Sequence, residues 1–293
     1  MKSEQELKNI VKDKYGKIAN QEKEVNASSC CGATSPSNKV YNIMMDDYSE
    51  IDGYNADADL GLGCGLPTQF AQIKKGDTVV DLGSGAGNDC FVARHEAGPE
   101  GKVIGIDFTE TMINKARINA DKMGYNNVEF RYGDIDKMPI ADNAADVVIS
   151  NCVLNLVPNK EKVINEIYRV LNPGGHFSIS DIVLVGELPA GLQNDAEMYA
   201  GCVAGAIQQD EYLKLIAMQG FESITIQKKK TITLPDDLLI KYLSEEEIKE
   251  FNAHNIGIFS ITVYADKPGN AIDTNSSYAA NEEPCCGSGS KCC

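Results

Sequence analysis

The sequence predicts an α/β fold in which helices cover both faces of a doubly wound, mostly parallel sheet of seven strands. Between residues 77 and 185, short β-branched segments alternate with segments that carry apolar residues at helical spacing. A glycine-rich turn at residues 81–87 joins the first of these strands to the first helix. Two further strand candidates, at 223–228 and 259–265, complete the sheet. Ligands in such a fold bind at the carboxyl ends of the strands.

Residues 1–76 are predicted to form a helical and irregular lead-in that covers this edge of the sheet. A helix is expected over 3–20, and its apolar positions are Leu7, Ile10, Val11, Tyr15 and Ile18. It either packs on the domain or covers a ligand, and the pattern leaves both open. A polar loop over 21–40 contains Cys30 and Cys31. The glycine-dense stretch over 59–67, with Cys64 in its middle, is typical of a shaped loop rather than a linker.

Residues 77–185 form the predicted core. Its strands are expected at 77–82, 102–107, 128–132, 145–150 and 176–182, and its helices at about 87–97, 109–124 and 159–171. Thr109 is expected to cap the second helix and Gly124 to end it. Residues 172–175, which contain a proline and two glycines, are expected to end the third helix.

Residues 186–267 are predicted to form a smaller C-terminal α+β part. This part is mostly helical to residue 220 and then carries the last two strands, which an insertion over 234–252 separates. Residues 268–293 are rich in Gly, Ser and Asn, and this composition predicts a disordered, cysteine-rich tail. The tail cysteines are Cys285, Cys286, Cys292 and Cys293.

Composition excludes some classes of function. The chain has 293 residues and a formal net charge of −16. Its one run of basic residues, at 228–230, is expected to end a strand, so binding to DNA or RNA is disfavoured. No apolar run suits a signal peptide or a membrane span, which predicts a cytoplasmic protein with reduced thiols. A disulfide framework is therefore not expected for the ten cysteines, which leaves metal or metalloid binding, redox chemistry or burial.

The glycine turn indicates the cofactor. Its spacing is G-x-G-x-G after Asp81, whereas dinucleotide sites carry G-x-G-x-x-G. It resembles motif I of the class I S-adenosylmethionine (SAM) methyltransferases, which have a Rossmann-like fold. Asp107, at the end of the second predicted strand, is placed to take the two ribose hydroxyls of a nucleotide. NAD, a flavin, or a tight turn with no ligand remain as alternatives at this point.

Three further cysteines could meet at the same edge of the sheet, if the glycine-dense loop folds over the strand ends and the helix after the fifth strand packs above the sheet. Cys152 ends the fourth strand, Cys64 lies in the glycine-dense loop, and Cys202 lies in the stretch after the fifth strand. Thiolates select soft ions, and zinc sites usually pair cysteines as C-x-x-C, which is missing here. Cys90, inside the first core helix, is expected to be buried and structural. Spacing alone favours ordinary buried cysteines over a binding site.

The stretches around these cysteines resemble the arsenite SAM methyltransferases. The matching stretches are residues 61–67 (GLGCGLP), 81–91 (DLGSGAGNDCF), 150–158 (SNCVLNLVP), 180–183 (SDIV) and 199–206 (YAGCVAGA). The resemblance covers roughly residues 10–265. It implies that Cys64, Cys152 and Cys202 bind trivalent arsenic, and that Cys31 or its neighbour Cys30 takes part in a redox cycle. The tail cysteines look like family features that either capture arsenic, exchange disulfides or are dispensable.

The same resemblance implies a set of cofactor-binding residues. Asp81 would orient SAM, Asp107 would bind its ribose, and Asp134 with Ile135 would flank the adenine. The full set is Asp81, Gly83, Gly85, Asn88, Asp107, Met112, Asp134, Ile135 and Asn151. Each aspartate also has an ordinary alternative as a turn or cap residue.

The implied reaction is attack by thiolate-bound As(III) on the SAM methyl carbon, in line with the departing sulfur. No general base is required, because the arsenic lone pair carries no proton. The expected partners are arsenite or thiol-conjugated arsenic and a thiol reductant of the glutathione or thioredoxin type, with a monomeric chain. The alternatives are a SAM methyltransferase for another small acceptor and a non-catalytic thiol protein that binds metalloids.

Overall fold

The computed structural model describes residues 3–20, 46–187, 205–232, 239–240, 243–253 and 257–269. Seven strands form one sheet, namely β1 (Thr78–Leu82), β2 (Lys102–Asp107), β3 (Val128–Tyr132), β4 (Ala145–Asn151), β5 (Leu171–Val185), β6 (Glu222–Ile232) and β7 (Gly257–Asp266). Their order across the sheet is β3-β2-β1-β4-β5-β7-β6. Strands β1 to β5 pair in parallel, and β7 pairs antiparallel with both β5 and β6. The predicted mostly parallel, seven-stranded α/β fold is confirmed.

Helices cover both faces of the sheet. They are α1 (Glu4–Ile18), α2 (Pro67–Phe70), α3 (Asn88–Ala97), α4 (Glu110–Met123), α5 (Lys160–Val170), α6 (Gln209–Met218) and α7 (Glu245–Ala253). The core on one face takes side chains from α1, α3 and α4, and the core on the other takes them from α5 and α6. Strand β1 is buried against both cores, which explains its unbroken Val79-Val80 apolar run.

Local signals explain how two of these helices begin and end. Ser3 and Glu6 form a capping box at the start of α1, with the Ser3 Oγ accepting from the Glu6 N–H at 3.2 Å. Gly124 ends α4 in the left-handed conformation, with φ of 67°. Thr109 does occupy the N-cap position of α4, but its side chain donates no hydrogen bond to the helix and accepts none. The prediction of Thr109 as the N-cap residue is therefore confirmed by position, although its side chain makes no capping hydrogen bond.

Helix α5 ends at Val170, just before residues 172–175, as expected, but two strands are longer than predicted. Strand β5 begins at Leu171, which pairs with Ala145, and a register shift then accommodates residues 172–175 inside the strand. The basic run at 228–230 does not end β6, which continues to Ile232. The strand tolerates these charges because Lys228 and Lys230 pair with Asp46 at 2.6 and 3.4 Å. Of the insertion over 234–252, residues 234–238 and 241–242 fall outside the described residues, and helix α7 occupies most of the rest. The prediction for the tail falls outside the described residues from residue 270 on.

Candidate functional site

A cavity opens at the carboxyl ends of β1, β2 and β4. It contains about 1100 Å³ of atom-free space, including its open mouth. Every residue of the predicted cofactor set lines it, namely Asp81, Gly83, Gly85, Asn88, Asp107, Met112, Asp134, Ile135 and Asn151. Cys152 lines the same cavity. The structure therefore brings the predicted cofactor residues and one predicted arsenic ligand to one place.

The floor of the cavity is the glycine turn between β1 and α3. Gly83 and Gly87 adopt φ of 68° and 100°, which residues with a Cβ rarely do. A Cβ at Gly83 would also lie 2.5 Å from the Val153 side chain. The turn thus requires glycine both for its backbone angles and for close approach. It leaves the N-terminus of α3, with its free N–H groups, at the edge of the cavity.

Asp107 is fixed at the end of β2 by two backbone donors. Its carboxylate accepts from the Thr109 N–H at 2.7 Å and from the Gly85 N–H at 3.1 Å. Burial raises the pKa of Asp107, and these two hydrogen bonds oppose the rise. The arrangement holds the carboxylate rigidly beside the glycine turn, where it has lone pairs left for a ligand's hydroxyl groups.

The cavity is strongly acidic. Burial and the charge of Asp89 raise the pKa of Asp81 well above its usual range, while the Cys90 thiol donates to it at 3.2 Å. Burial raises the pKa of Asp89 to about 6, against hydrogen bonds from Tyr48 and Asn151. A cationic ligand would favour the ionised form of both carboxyl groups.

Helix α1 lies over this cavity. Lys8, Val11 and Tyr15 line it, and Val11 is 1% exposed. The Lys8 ammonium pairs with Asp134 at 2.7 Å and with Asp136 at 2.6 Å. Lys8 is the only basic residue among the described residues that line the cavity. The sequence left open whether this helix only packs on the domain or also covers a ligand. In the structure it lies over the predicted cofactor residues.

Three buried polar atoms on the cavity wall lack a hydrogen-bond partner within the described residues. They are the Ser84 Oγ, the Asn88 Oδ1 and the Thr109 Oγ1. Buried polar groups are nearly always paired, so unpaired ones that line a cavity are suited to a polar ligand. Together with the acidic wall, they fit SAM, which combines ribose hydroxyls, an ammonium and a sulfonium.

Cys64 and Cys152 are joined as a disulfide, although they are 88 residues apart in sequence. Their Cα atoms lie 5.7 Å apart, within the range that a disulfide requires. The expectation that these thiols are reduced and unpaired is therefore wrong for this structure, because the fold brings the two side chains into bonding contact. The expectation that they meet at the end of β4 is met.

The other cysteines divide into two groups. Cys90 is free and fully buried, as the sequence suggested. Cys202, Cys30, Cys31 and the tail cysteines lie outside the described residues, so the structure does not test the three-cysteine site or the N-terminal redox cysteine.

A hydrogen-bonded cluster that the sequence did not reveal holds the Cys64 loop against β4. Asn151 Oδ1 accepts from the Cys64 N–H at 3.0 Å, and Asn151 Nδ2 donates to the Gly65 carbonyl at 2.9 Å. The Tyr48 hydroxyl donates to Asp89 at 2.7 Å. Asp89 lies two residues after Gly87, the last residue of the glycine turn, so its position in the sequence could have marked it as a site residue. Tyr48 lies in a segment with no periodicity, so no sequence signal marks it.

Within the described residues, no helix combines the length and the apolar character needed to cross a bilayer.

Comparison with known proteins places these features among methyltransferases. Residues 73–220 match the family described as "Methyltransferase domain". The chain is 40% identical over 277 residues to an arsenite methyltransferase of Halobacterium salinarum, a match that covers 90% of this chain and 67% of the relative. It is 31% identical over 242 residues to an arsenite methyltransferase of Aquipseudomonas alcaligenes, covering 80% of this chain and 68% of that one.

A solved structure agrees with these relatives. The crystal structure of an arsenic(III) S-adenosylmethionine methyltransferase from Chlamydomonas reinhardtii superposes with a TM-score of 0.61 at 30% identity. The superposition covers 81% of this chain and 76% of the algal chain.

Proposed function

Because the chain belongs to the arsenite methyltransferases, a family of SAM-dependent class I enzymes, we propose that it methylates trivalent arsenic held by cysteine thiolates. One observation carries the thiolate part of this proposal. Cys64 and Cys152 meet at the end of β4, and Cys152 lines the cavity that holds the predicted cofactor residues. The proposed sites for the methyl donor, SAM, and for the methyl acceptor, arsenic, thus share one edge of the sheet.

Different residues of the cavity bind different parts of the cofactor. Asp107, fixed by two backbone N–H groups, takes the ribose hydroxyls, and Asp134 with Ile135 flanks the adenine. SAM supplies a methyl group on a positively charged sulfonium. Asp81 and Asp89 favour this charged form electrostatically over the neutral thioether product. The cavity wall therefore binds SAM more strongly than the neutral thioether that is left after methyl transfer.

Arsenic binding requires both members of the cysteine pair as thiols. A thiol reductant of the glutathione or thioredoxin type would first deliver two electrons and two protons to the Cys64–Cys152 disulfide, and would itself become a disulfide. Each free thiol then displaces one hydroxyl of arsenite, and the thiol proton leaves with that hydroxyl as water. Cys202 is proposed as the third ligand and Cys31 as the N-terminal redox cysteine, both from the family resemblance.

The nucleophile in this scheme is the lone pair of thiolate-bound As(III), so no side chain has to accept a proton. The structure is consistent with this requirement. His95 and His176, the histidines in the described part of the chain, do not line the cavity. His176 is bound to the Ala71 carbonyl at 2.6 Å. The protein contributes by positioning two reactants and by excluding water.

The test combines product analysis with one cysteine substitution. The purified protein is incubated with labelled SAM, arsenite and a thiol reductant, and methylated arsenic is separated and counted. Wild type should form it, and Cys152→Ser should lower the rate by at least about a hundredfold, the loss that even supporting residues of a metal site can cause. Cys90→Ser is the matched control, because Cys90 does not line the cavity and a serine hydroxyl keeps a donor for Asp81 in place of the thiol.

The outcomes separate the three candidate functions. A wild-type protein that forms no methylated arsenic refutes the proposed function. Full activity in Cys152→Ser refutes the thiolate mechanism and favours another way of holding the acceptor. Arsenite binding without any use of SAM would identify a metalloid-binding protein instead.

A further inference from the structure

The loop that carries Cys64 is held from two sides. On one side, Asn151 and Tyr48 contact the backbone of residues 64 and 65. On the other, the Ser260 hydroxyl donates to the Cys64 carbonyl at 2.5 Å. We infer that Tyr48 is a positioning residue that, through Asn151 and Gly65, sets the approach of Cys64 to Cys152. This inference deepens the proposed function and rests on it for its biological meaning.

The Tyr48 hydroxyl lies at the centre of the cluster. It is buried, with 7% of the residue exposed. It lies 2.7 Å from Asp89 Oδ1, 3.1 Å from the Gly65 carbonyl and 2.7 Å from Asn151 Nδ2. Asn151 Nδ2 lies 3.1 Å from Asp89 Oδ2 as well. The tyrosine thus joins the start of α3, the end of β4 and the Cys64 loop.

The number of available hydrogens fixes how the cluster works. Tyr48 has one hydroxyl hydrogen and the Asn151 amide has two. The acceptors around them are the two Asp89 oxygens, the Gly65 carbonyl and the Tyr48 oxygen itself. When Tyr48 donates to Asp89, the Asn151 amide is free to donate to Gly65. Removal of the hydroxyl takes away the Tyr48 contact with the Gly65 carbonyl and leaves Asp89 Oδ1 without its donor. Asp89 then competes with Gly65 for the Asn151 amide, and the loop loses part of its support.

The loop itself is built for close approach to these partners. A Cβ at Gly63 would lie 2.6 Å from Asn151 Nδ2, and a Cβ at Gly65 would lie 2.5 Å from the Ser180 hydroxyl. The two glycines that flank Cys64 therefore let its backbone lie directly on Asn151 and on β5.

Cys152 is held as firmly as its partner. It directly follows Asn151, and its N–H donates to the Ser180 carbonyl at 2.8 Å. Its φ of 61° lies in the left-handed region, which a residue with a side chain rarely adopts. With one cysteine fixed in this way, the position of the Cys64 loop decides how often the two thiols meet. Tyr48 acts on that loop without touching either sulfur.

The test measures how readily the two thiols pair, in the absence of arsenic and SAM. The full-length protein is equilibrated in glutathione redox buffers, and the Cys64–Cys152 disulfide is quantified by thiol trapping and peptide mass spectrometry. Tyr48→Phe should lower the equilibrium constant for this disulfide by about tenfold, the equivalent of one hydrogen bond. The arsenite affinity of the reduced protein should fall by a similar factor.

The matched control is Tyr54→Phe. It removes a hydroxyl of the same segment, whose hydrogen bond goes to Asp59 at 3.1 Å instead of to Gly65. The control should keep the wild-type equilibrium constant within about twofold. Should Tyr48→Phe lose its fold by circular dichroism, Ser260→Ala replaces it, because this change releases the loop from its other side.

An unchanged equilibrium constant in a folded Tyr48→Phe, or an equal fall in Tyr54→Phe, overturns the inference. The thiol equilibrium does not depend on methyl transfer. A wild-type protein that makes no methylated arsenic would therefore refute the proposed function while the role of Tyr48 is still measured.

Discussion

Asp181, buried in β5, should make the protein less stable as the pH rises. The residue is 1% exposed, and this burial raises its pKa to about 7 from 3.8. The Lys160 charge and a hydrogen bond from the Ile182 N–H, at 2.9 Å, only partly oppose the rise. The fold therefore holds this carboxyl group in its neutral form at mildly acidic pH.

The direction of the effect follows from proton binding in the two states. Between the unfolded pKa of 3.8 and the folded pKa of about 7, the unfolded chain loses the Asp181 proton and the native protein keeps it. The free energy of unfolding falls across this window and stays low above it. The full shift is equivalent to about 4 kcal/mol, of which about 3 kcal/mol is lost between pH 5 and pH 8.

The perturbation is Asp181→Asn, which keeps the shape of the side chain and cannot ionise. Urea unfolding of wild type and variant under reducing conditions gives the stability difference at each pH, so that titrating groups common to both proteins cancel. The free energy of unfolding of the variant, relative to that of wild type, should rise by about 3 kcal/mol from pH 5 to pH 8. Asp210→Asn, at an exposed position on α6, controls for the change in net charge.

One result would refute the reasoning. If the stability difference between Asp181→Asn and wild type is the same at pH 5 and pH 8, then Asp181 does not titrate in the native protein within this window, and its burial has no such electrostatic consequence.

Two other substitutions probe the cofactor cavity. Lys8→Met removes both ion pairs that hold α1 over the cavity and should weaken SAM binding by about fivefold in titration calorimetry; the exposed Lys17→Met on the same helix should not. If Lys8→Met binds SAM with the same affinity as wild type, the ion pairs do not hold the helix in place. Gly83→Ala places a methyl group 2.5 Å from the Val153 side chain at φ of 68° and should lower stability by about 2 kcal/mol or more. An unchanged urea midpoint would contradict the tight turn.

The sequence was most informative where one local pattern decides the structure. The glycine turn of residues 81–87 and the strands beside it follow from backbone sterics and burial, so their positions were predictable to within a residue or two. Topology placed Cys152 at the carboxyl edge of the sheet, and the approach of Cys64 depended on the glycine-dense loop folding over that edge, which it does.

Tertiary contacts decided the features that the sequence did not reveal. Strand β6 runs through its three lysines because Asp46, which is distant in sequence, pairs with two of them. Tyr48 belongs to the site because its hydroxyl contacts Asp89 and Gly65, which are distant in sequence. No periodicity in the sequence predicts such a contact. Cysteine pairing depends on proximity as well as on the cellular environment, and the environment was the sole basis for expecting free thiols.

The position of β7 has a consequence for the order of assembly during synthesis. It is the last strand to leave the ribosome, yet it lies inside the sheet between β5 and β6. Its Ser260 and Thr262 bind the Cys64 carbonyl and the Ser180 hydroxyl, which support the Cys64 loop and β5. Strands β1 to β5 can therefore form the cofactor edge during translation, whereas the cysteine pair receives its last support only after residue 266 has emerged.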